Sequence, residues 1–421
     1  MKVLVIHSEL GVLRGGGENF SRNLFQAFAR RGHQIEAAFV ADWRGQYPLP
    51  LPPEIEPVPI AGWWSSDFGQ AKLSSLGRHL ASGSGLKSHW NAVQEALAWR
   101  TFSWHKRRFQ RRVEREFTAR WHEFDAIYVH GDTALASAVS RRRPTVLRLP
   151  GPVTAERALE LRSVHAVCAN GDALVRIRAF LGDYAIELPV GLDTEVFTPT
   201  GPHVRARLGW SERHRVVGYI GRLAHIKGVD LLASAFREVV QRNPYARLLM
   251  IGSGEQESRI RTTLADELAK GTAHLRTDVD HDELPEWYRA MDLFVMPSRY
   301  ENHSNAILEA MACGVPFLAS DVGGNRTLTE TGAGSLFARE SIPSLVEAMM
   351  CLINTREMLD GHKRVCLGHA SRPNSWAATA ERLETIVARL AQKNVTGEAN
   401  HNPSVHAVDA SHVEPLRTPR S

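Results

Sequence analysis

A chain of 421 residues has room for two or three domains. Its 43% hydrophobic and 23% charged content is that of a globular protein, and a net charge of +5 is too small by itself to indicate nucleic acid. No apolar run approaches the roughly 18 residues of a membrane span, and Cys168, Cys313, Cys351 and Cys366 show neither CxxC nor metal spacing, which points to a reducing cytoplasmic setting without zinc or disulfides.

The first element, Val3-Leu4-Val5-Ile6, has the uninterrupted apolar character of a strand buried on both faces and is too short for a signal-peptide core. A glycine-rich loop follows, Gly15-Gly16-Gly17-Glu18, then a helix with Phe20, Leu24 and Phe28 on one side, and a second strand over 34–40. Glycines where a strand meets a helix let a ligand approach the backbone, but the spacing is not G-x-G-x-x-G. Residues 44–90 carry many Pro, Gly, Ser and Trp residues and read as irregular. Residues 90–122 read as a long helix, both basic and aromatic, with Trp99, Trp104, Phe109, Phe117 and Trp121 among Arg and Lys. Together with Arg141-Arg142-Arg143 it could meet anionic lipid headgroups or an anionic acceptor; a solvated helix face packed on its own domain accounts for the same pattern.

Strands are expected at 125–130, ending in His130, at 145–149 and at 166–169, with Leu188-Pro189-Val190-Gly191-Leu192-Asp193 as the last edge of this half. The loop 198–202, Thr-Pro-Thr-Gly-Pro, reads as a linker, which gives a first domain over 1–197 and a second over 203–370. In the second half, strands at 216–220, 247–251, 273–276, 293–296 and 317–320 alternate with helices near 228–242, 255–270, 282–290, 304–313 and 341–354. That alternation predicts mostly parallel, doubly wound sheets, an α/β fold of two Rossmann-like domains. A last helix is expected over 375–391, and a tail from 393 to 421 without periodicity reads as disordered.

Ligands of open parallel sheets bind beyond the carboxyl ends of the strands. In the second half that rim collects Gly221-Arg222, Lys227-Gly228, Gly252-Ser253-Gly254, Val279, and the stretch from Glu301 to Pro316. Ser304 and Asn305 are good N-cap residues before an apolar run, and Gly314 and Pro316 close it, so Glu301 precedes a helix and Glu309 lies inside it. A helix mouth offers free N–H groups to phosphate, Arg222 and Lys227 offer charge, and a carboxylate such as Glu309 suits a ribose diol.

These residues resemble the retaining glycosyltransferases of the GT4 family, which have the GT-B fold. The E-x7-E motif is matched by Glu301 and Glu309, the Gly-Arg-Leu and Lys-Gly segments by Gly221-Arg222-Leu223 and Lys227-Gly228, and the Gly-Gly-Ala-Glu loop by Gly15-Gly16-Gly17-Glu18. Pro189-Val190-Gly191-Leu192-Asp193 and the Gly323-Gly324 turn match two further segments, so the resemblance runs from residue 3 to about 338. It implies two domains facing a cleft, a nucleoside-diphosphate sugar on the second and a saccharide or lipid-linked acceptor at the first, in cell-surface polysaccharide or lipopolysaccharide synthesis, with no cofactor and no essential metal. Arg222 and Lys227 would stabilise the leaving diphosphate, Gly15 and Gly16 approach the phosphates, Glu309 hold the ribose, and Glu301 with the backbone at Asn305 and Ala306 hold sugar and phosphate. Val279 would meet the base through its backbone, and the helix led by Trp376 would cross back onto the first domain. The enzyme would work in the cytoplasm, at the inner face of the plasma membrane where its basic helix meets lipid, and without nucleic acid.

Three positions depart from the family pattern. Leu149-Pro150-Gly151 stands where a histidine is usual, with His130 or Asp132 beside it as substitutes. Asn302 stands where glycine follows the first glutamate, and Thr327 near where an acid follows the Gly-Gly turn. Two other functions fit single features: a nucleotide-sugar-binding protein without catalysis, and a Rossmann oxidoreductase using Gly252-Ser253-Gly254, which lacks its third glycine because position 257 is Glu.

Overall fold

The computed structural model describes residues 1–12, 16–42, 44–61, 104–151, 160–370 and 375–396. The chain divides into two compact units. The first takes Met1–Ala169, Ile177–Leu188 and the chain from Ala380 on; the second takes Asn170–Arg176 and Pro189–Thr379. The division therefore falls at Pro189, ahead of the 198–202 loop, and the last helix, Trp376–Thr396, begins in the second unit and continues in the first.

The first unit is built on a parallel sheet of β1 (Lys2–Ile6), β2 (Gln34–Ala41), β3 (Glu56–Ala61), β4 (Ala126–His130), β5 (Thr145–Arg148), β6 (Ala166–Ala169) and β7 (Ala185–Glu187). Its spatial order is β3-β2-β1-β4-β5-β6-β7. Val3 to Ile6 are buried, as a strand covered on both faces requires. The Gly16–Arg30 helix packs Phe20, Leu24 and Phe28 inward, four residues apart on one stripe.

The strand β3 lies where the proline content predicts irregular chain. Pro57 and Pro59 are tolerated because β3 is the outermost strand, paired on one side only, with Pro57 opposite Ala37 and Pro59 opposite Phe39. The edge expected at 188–193 is instead the three-residue β7; Pro189 breaks the ladder, and Leu192 makes an isolated bridge to Ser375. The long basic helix is described from residue 104 and runs over 104–117. Phe109, Phe117 and Trp121 are buried in the core of this unit, whereas Trp104 is 53% exposed. Trp90, Trp99 and Phe102 lie outside the described residues.

The second unit carries a parallel sheet of β8 (Arg215–Ile220), β9 (Ala246–Ile251), β10 (Ala273–Arg276), β11 (Leu293–Met296), β12 (Phe317–Ser320) and β13 (Gly334–Phe337), in the order β10-β9-β8-β11-β12-β13. The five strands predicted for this half are present; β13 is an addition, as are the helices Gly323–Thr329 and Arg356–Ala370. The helix expected over 255–270 is two, Glu257–Thr263 and Ala265–Ala269, broken at Leu264. Helix persists through Thr396, past the expected start of the tail, and the rest of the tail lies outside the described residues. Among the described residues no helix is long and apolar enough to cross a membrane.

In each sheet the strand order reverses beside the first strand, between β1 and β4 and between β8 and β11. Crevices for ligands open at such switch points. His7 and His130 end the flanking strands of the first sheet; the loops carrying Arg222 and Glu301 follow those of the second.

Candidate active site

The rim of the second sheet is shaped by backbone packed on backbone. Gly228 has φ 64, and a Cβ there would sit 1.9 Å from the carbonyl oxygen of Pro297. Only glycine lets the loop after β8 rest against the loop after β11. Arg299 ties the same two loops together. Its N–H donates to the Ile226 carbonyl at 2.8 Å, and its guanidinium grips Asp230 with two bonds of 2.8 and 3.0 Å and reaches the His225 carbonyl at 2.6 Å. Burial is the largest single influence and acts to raise the Asp230 carboxyl, but the bonds and charge of Arg299, with a backbone bond, together make the net shift downward.

Between these loops Lys227 Nζ lies 2.6 Å from Glu301 Oε2, with Ser298 Oγ donating to the same oxygen at 3.4 Å. Glu301 is buried and Lys227 half-buried. Arg222 is exposed, and among the described residues no carboxylate pairs with it; Tyr219 Oη donates to its carbonyl at 2.8 Å. Lys227 and Glu301 thus form one ionic unit, and Arg222 is a separate, uncompensated cation.

The helix expected after Glu301 is Asn305–Ala312. Ser304 is its N-cap, and its hydroxyl accepts from the Ile307 N–H. The N–H groups of Asn305 and Ala306, at the positive end of the helix, have no partner inside it. Glu309 faces a different environment from Glu301. Tyr288 Oη donates to Glu309 Oε2 at 2.8 Å, and burial pushes the carboxyl up to about 7. Tyr288, buried under this helix, is a partner that no spacing in the sequence announced. Val279 lies half-buried in the loop after β10.

Asn302 does more than replace a glycine. Its Oδ1 accepts from the Ala173 N–H at 2.7 Å and its carbonyl from the Asp172 N–H at 3.1 Å. These are first-turn donors of the Gly171–Leu181 helix, so Asn302 helps cap the start of that helix. The loop is packed tightly around it: a Cβ on Gly324 would meet the Asn302 carbonyl at 1.7 Å, and one on Gly171 would meet it at 2.1 Å.

In the first unit Gly16 opens the Gly16–Arg30 helix and is exposed, and Gly15 lies outside the described residues. Asp132 is occupied by the fold: it caps the Thr133–Val139 helix through the Leu135 N–H, accepts from Gln110 at 2.8 Å and lies 3.5 Å from Lys106 Nζ. His130 stands apart from those contacts. Its ring stacks on His7 with centroids 4.0 Å apart, and Ser21 Oγ lies 3.0 Å from His7 Nδ1 and 3.4 Å from His130 Nδ1. Glu18 Oε1 lies 3.4 Å from His7 Nε2. Burial, then the charges of His7 and Arg148, push the His130 imidazole well below the usual histidine range. His7, directly after the first apolar run, was the available signal for this cluster. Among the described residues no group of three or more His, Cys, Asp or Glu side chains is placed to hold a metal ion.

Residues 214–355 match the family model of glycosyl transferases group 1. That match covers the second sheet and all the residues described on its rim. A GDP-mannose-dependent phosphatidylinositol monomannoside mannosyltransferase of Corynebacterium glutamicum is 31% identical over 216 residues, 48% of this chain and 55% of its own. The lipopolysaccharide core mannosyltransferase LpsB of Rhizobium meliloti is 33% identical over 207 residues, 47% of this chain and 58% of its own. The chain thus spans little more than half the length of these curated relatives. Among solved structures, sucrose-phosphate synthase of Thermosynechococcus elongatus superimposes with a TM-score of 0.71 at 18% identity, covering 92% of this chain and 98% of its own. Anabaena HepE in complex with UDP-glucose gives 0.66 at 19% identity over 92% of this chain and 100% of its own. The fold is GT-B, with two Rossmann-like units.

Proposed function

We propose that this chain is a retaining glycosyltransferase that moves a sugar from a nucleoside-diphosphate donor to a saccharide or lipid-linked acceptor, in the synthesis of a cell-surface polysaccharide or lipopolysaccharide. The observation that carries the reading is the rim of the second sheet. A free cation at Arg222, the Lys227–Glu301 pair, the open mouth of the Asn305–Ala312 helix and Glu309 bonded to Tyr288 gather on one edge. Those groups match a nucleotide sugar part by part. The cations and helix mouth suit the diphosphate, Glu309 the ribose diol, Glu301 the sugar hydroxyls, and the backbone at Val279 the base. The glycosyl transferases group 1 match over the same residues supports it.

The chemistry follows from where charge develops. As the glycosidic bond to the diphosphate breaks, negative charge grows on the leaving phosphate, and Arg222, Lys227 and the helix mouth stabilise it more strongly than the ground state. The acceptor hydroxyl attacks from the same face, and the leaving phosphate oxygen takes its proton, so configuration is kept without a protein nucleophile. No metal takes part in this scheme. Turnover assayed as nucleoside-diphosphate release over a panel of nucleotide sugars, with and without chelator, tests it. Release that needs both donor and acceptor and persists in chelator supports the reading. Binding without release would instead make the chain a nucleotide-sugar-binding protein.

The same reading places the enzyme on the cytoplasmic face of an anionic membrane. A groove of about 840 Å³ in the first unit is lined by Arg111, Arg115, Arg141 and Arg142. Neighbouring cations are spoken for: Lys106 by Asp132, Arg120 by Glu36 and Glu123, and Arg143 by the Trp121 carbonyl. Among the described residues none of the four groove arginines has a carboxylate partner, although Glu114 lines the same groove. Charge left uncompensated in this way suits phosphate-bearing headgroups.

A further inference from the structure

We propose that His130 presents a bare Nε2 as a hydrogen-bond acceptor to a hydroxyl of a saccharide bound at the carboxyl rim of the first sheet, and that Glu18, His7 and Ser21 hold its ring in that tautomer. The identity of the ligand rests on the reading above; the tautomer does not.

Glu18, His7, Ser21 and His130 form a chain in which each proton has one place to go. Glu18 is the fixed end. Burial is the largest single influence and acts to raise its carboxyl, but the hydrogen bonds to it, the one from His7 first, together make the net shift downward. The neighbouring Glu9 carboxyl is shifted upward, first by burial and then by the charge of Glu18. An ionised carboxylate only accepts. His7 Nε2, 3.4 Å from Glu18 Oε1, must therefore be the donor. With His7 neutral, its Nδ1 is then a lone pair and takes the Ser21 hydroxyl proton across 3.0 Å. Having spent its only proton, Ser21 Oγ must accept from His130, across 3.4 Å, at Nδ1. A neutral imidazole that donates at Nδ1 has a lone pair at Nε2. Burial, the largest cause, disfavours a charged His130 imidazole.

Gly17 puts no side chain over that lone pair. A Cβ at Gly17 would stand 2.9 Å from His130 Nε2, closer than real Cβ contacts come. The stack on His7, 9° from parallel, stops the ring from turning away. The nitrogen lies at the switch point of the first sheet, where a ligand crevice is expected. Sugars are rich in hydroxyl donors, and a fixed neutral acceptor selects a hydroxyl over an anionic group in the same place.

Nitrogen-15 NMR of histidine-labelled protein at about pH 8, above the ordinary histidine range, tests the tautomer directly, with His130 assigned by the signal lost in His130→Asn. The expected result is a pyrrole-type Nδ1 and a pyridine-type Nε2. Glu18→Gln, whose amide donates as readily as it accepts, should move population toward Nε2–H. A His130 with Nε2–H in the intact chain, or a tautomer balance unmoved by Glu18→Gln, overturns the relay. For the ligand, His130→Asn keeps an N–H for Ser21 but has no acceptor at the Nε2 position. It should raise the acceptor or donor KM at least ten-fold, and His130→Gln, which reaches that position, should recover part of the loss. Unchanged KM values in both variants, measured on chains that melt like the parent, overturn the saccharide contact. Absence of turnover in the parent chain would defeat the proposed function and leave the NMR result standing.

Discussion

Lys227 Nζ and Glu301 Oε2 are 2.6 Å apart on the rim of the second sheet, so the lysine that would receive a diphosphate is already neutralised by a carboxylate. The pair gives the two residues a shared role. Glu301 holds Lys227 in place, and a diphosphate arriving there competes for its charge. Glu301→Gln should therefore tighten binding of a free nucleoside diphosphate several-fold while lowering turnover of the nucleotide sugar by about 100-fold, the scale of losing one preorganised group. Calorimetry and steady-state kinetics on one variant check both directions. Arg222→Ala, which removes a cation with no such partner, should weaken both.

Arg299 and Asp230 act through Lys227 and Glu301 rather than on a ligand. Their side chains are 9% and 11% exposed, and their two-bond pair joins the loops that carry the ionic unit. Arg299→Ala leaves the half-buried Asp230 carboxylate unpaired, which should cost about 1–3 kcal/mol of stability. The Asp230 carboxyl is held below its ordinary value, so its contribution is present above about pH 4 and fades as pH falls through the lowered pKa. Acid unfolding of Asp230→Asn, compared with the parent chain, should show a smaller loss over that range.

Glu309 carries the opposite sign. Its carboxyl is pushed up to about 7, so the folded unliganded protein prefers it protonated, and this site costs stability as pH rises from about 4.5 toward 7. A diol needs the ionised form as acceptor of two hydroxyls. Nucleoside-diphosphate affinity should therefore rise with pH through about 7, and Glu309→Gln should bind weakly with a flat profile. Tyr288→Phe, which removes a donor to Glu309, should move the inflection upward.

Asn302 is expected to matter for folding more than for sugar choice. Its side chain is committed to the Ala173 N–H. Asn302→Gly should lower stability by about 1–2 kcal/mol, the loss of a helix cap, and Asn302→Asp should retain most of it. A change in donor preference in Asn302→Gly at unaltered stability would contradict this.

Peripheral membrane contact is expected to be electrostatic. The chain should sediment with phosphatidylglycerol-containing vesicles at low salt and release at high salt. Arg141→Ala combined with Arg142→Ala should weaken that binding, whereas Arg259→Ala, an exposed arginine of the second unit, should not.

Five of the six strands of the second sheet were legible because most are short apolar runs, those of β8 and β9 closed by glycine, and the rim because Arg222 and Glu301 follow β8 and β11 closely. What the chain hid was set by tertiary partners. Pro57 and Pro59 argue against a strand unless its outer side is unpaired, which only the sheet order reveals. Asn302 looked like a lapse in a motif until the helix it caps, about 130 residues earlier in the chain, came to rest on it. His130 was visible as a histidine ending a strand, but its meaning depends on His7, set beside it by the parallel register of β1 and β4, and on Ser21 of the Gly16–Arg30 helix.

The two prolines of β3 also bear on how this protein meets copies of itself. In a strand, backbone groups alternate between its two sides, and β3 pairs with β2 over all six positions. Proline has no N–H, so the donors to β2 come from Glu56, Val58 and Ile60, and Pro57 and Pro59 face away. The outer side of β3 therefore lacks donors at two consecutive rungs. A second chain seeking to extend the sheet there would find acceptors without matching donors, and fibre-like growth across that edge is closed by the same residues that disguise the strand.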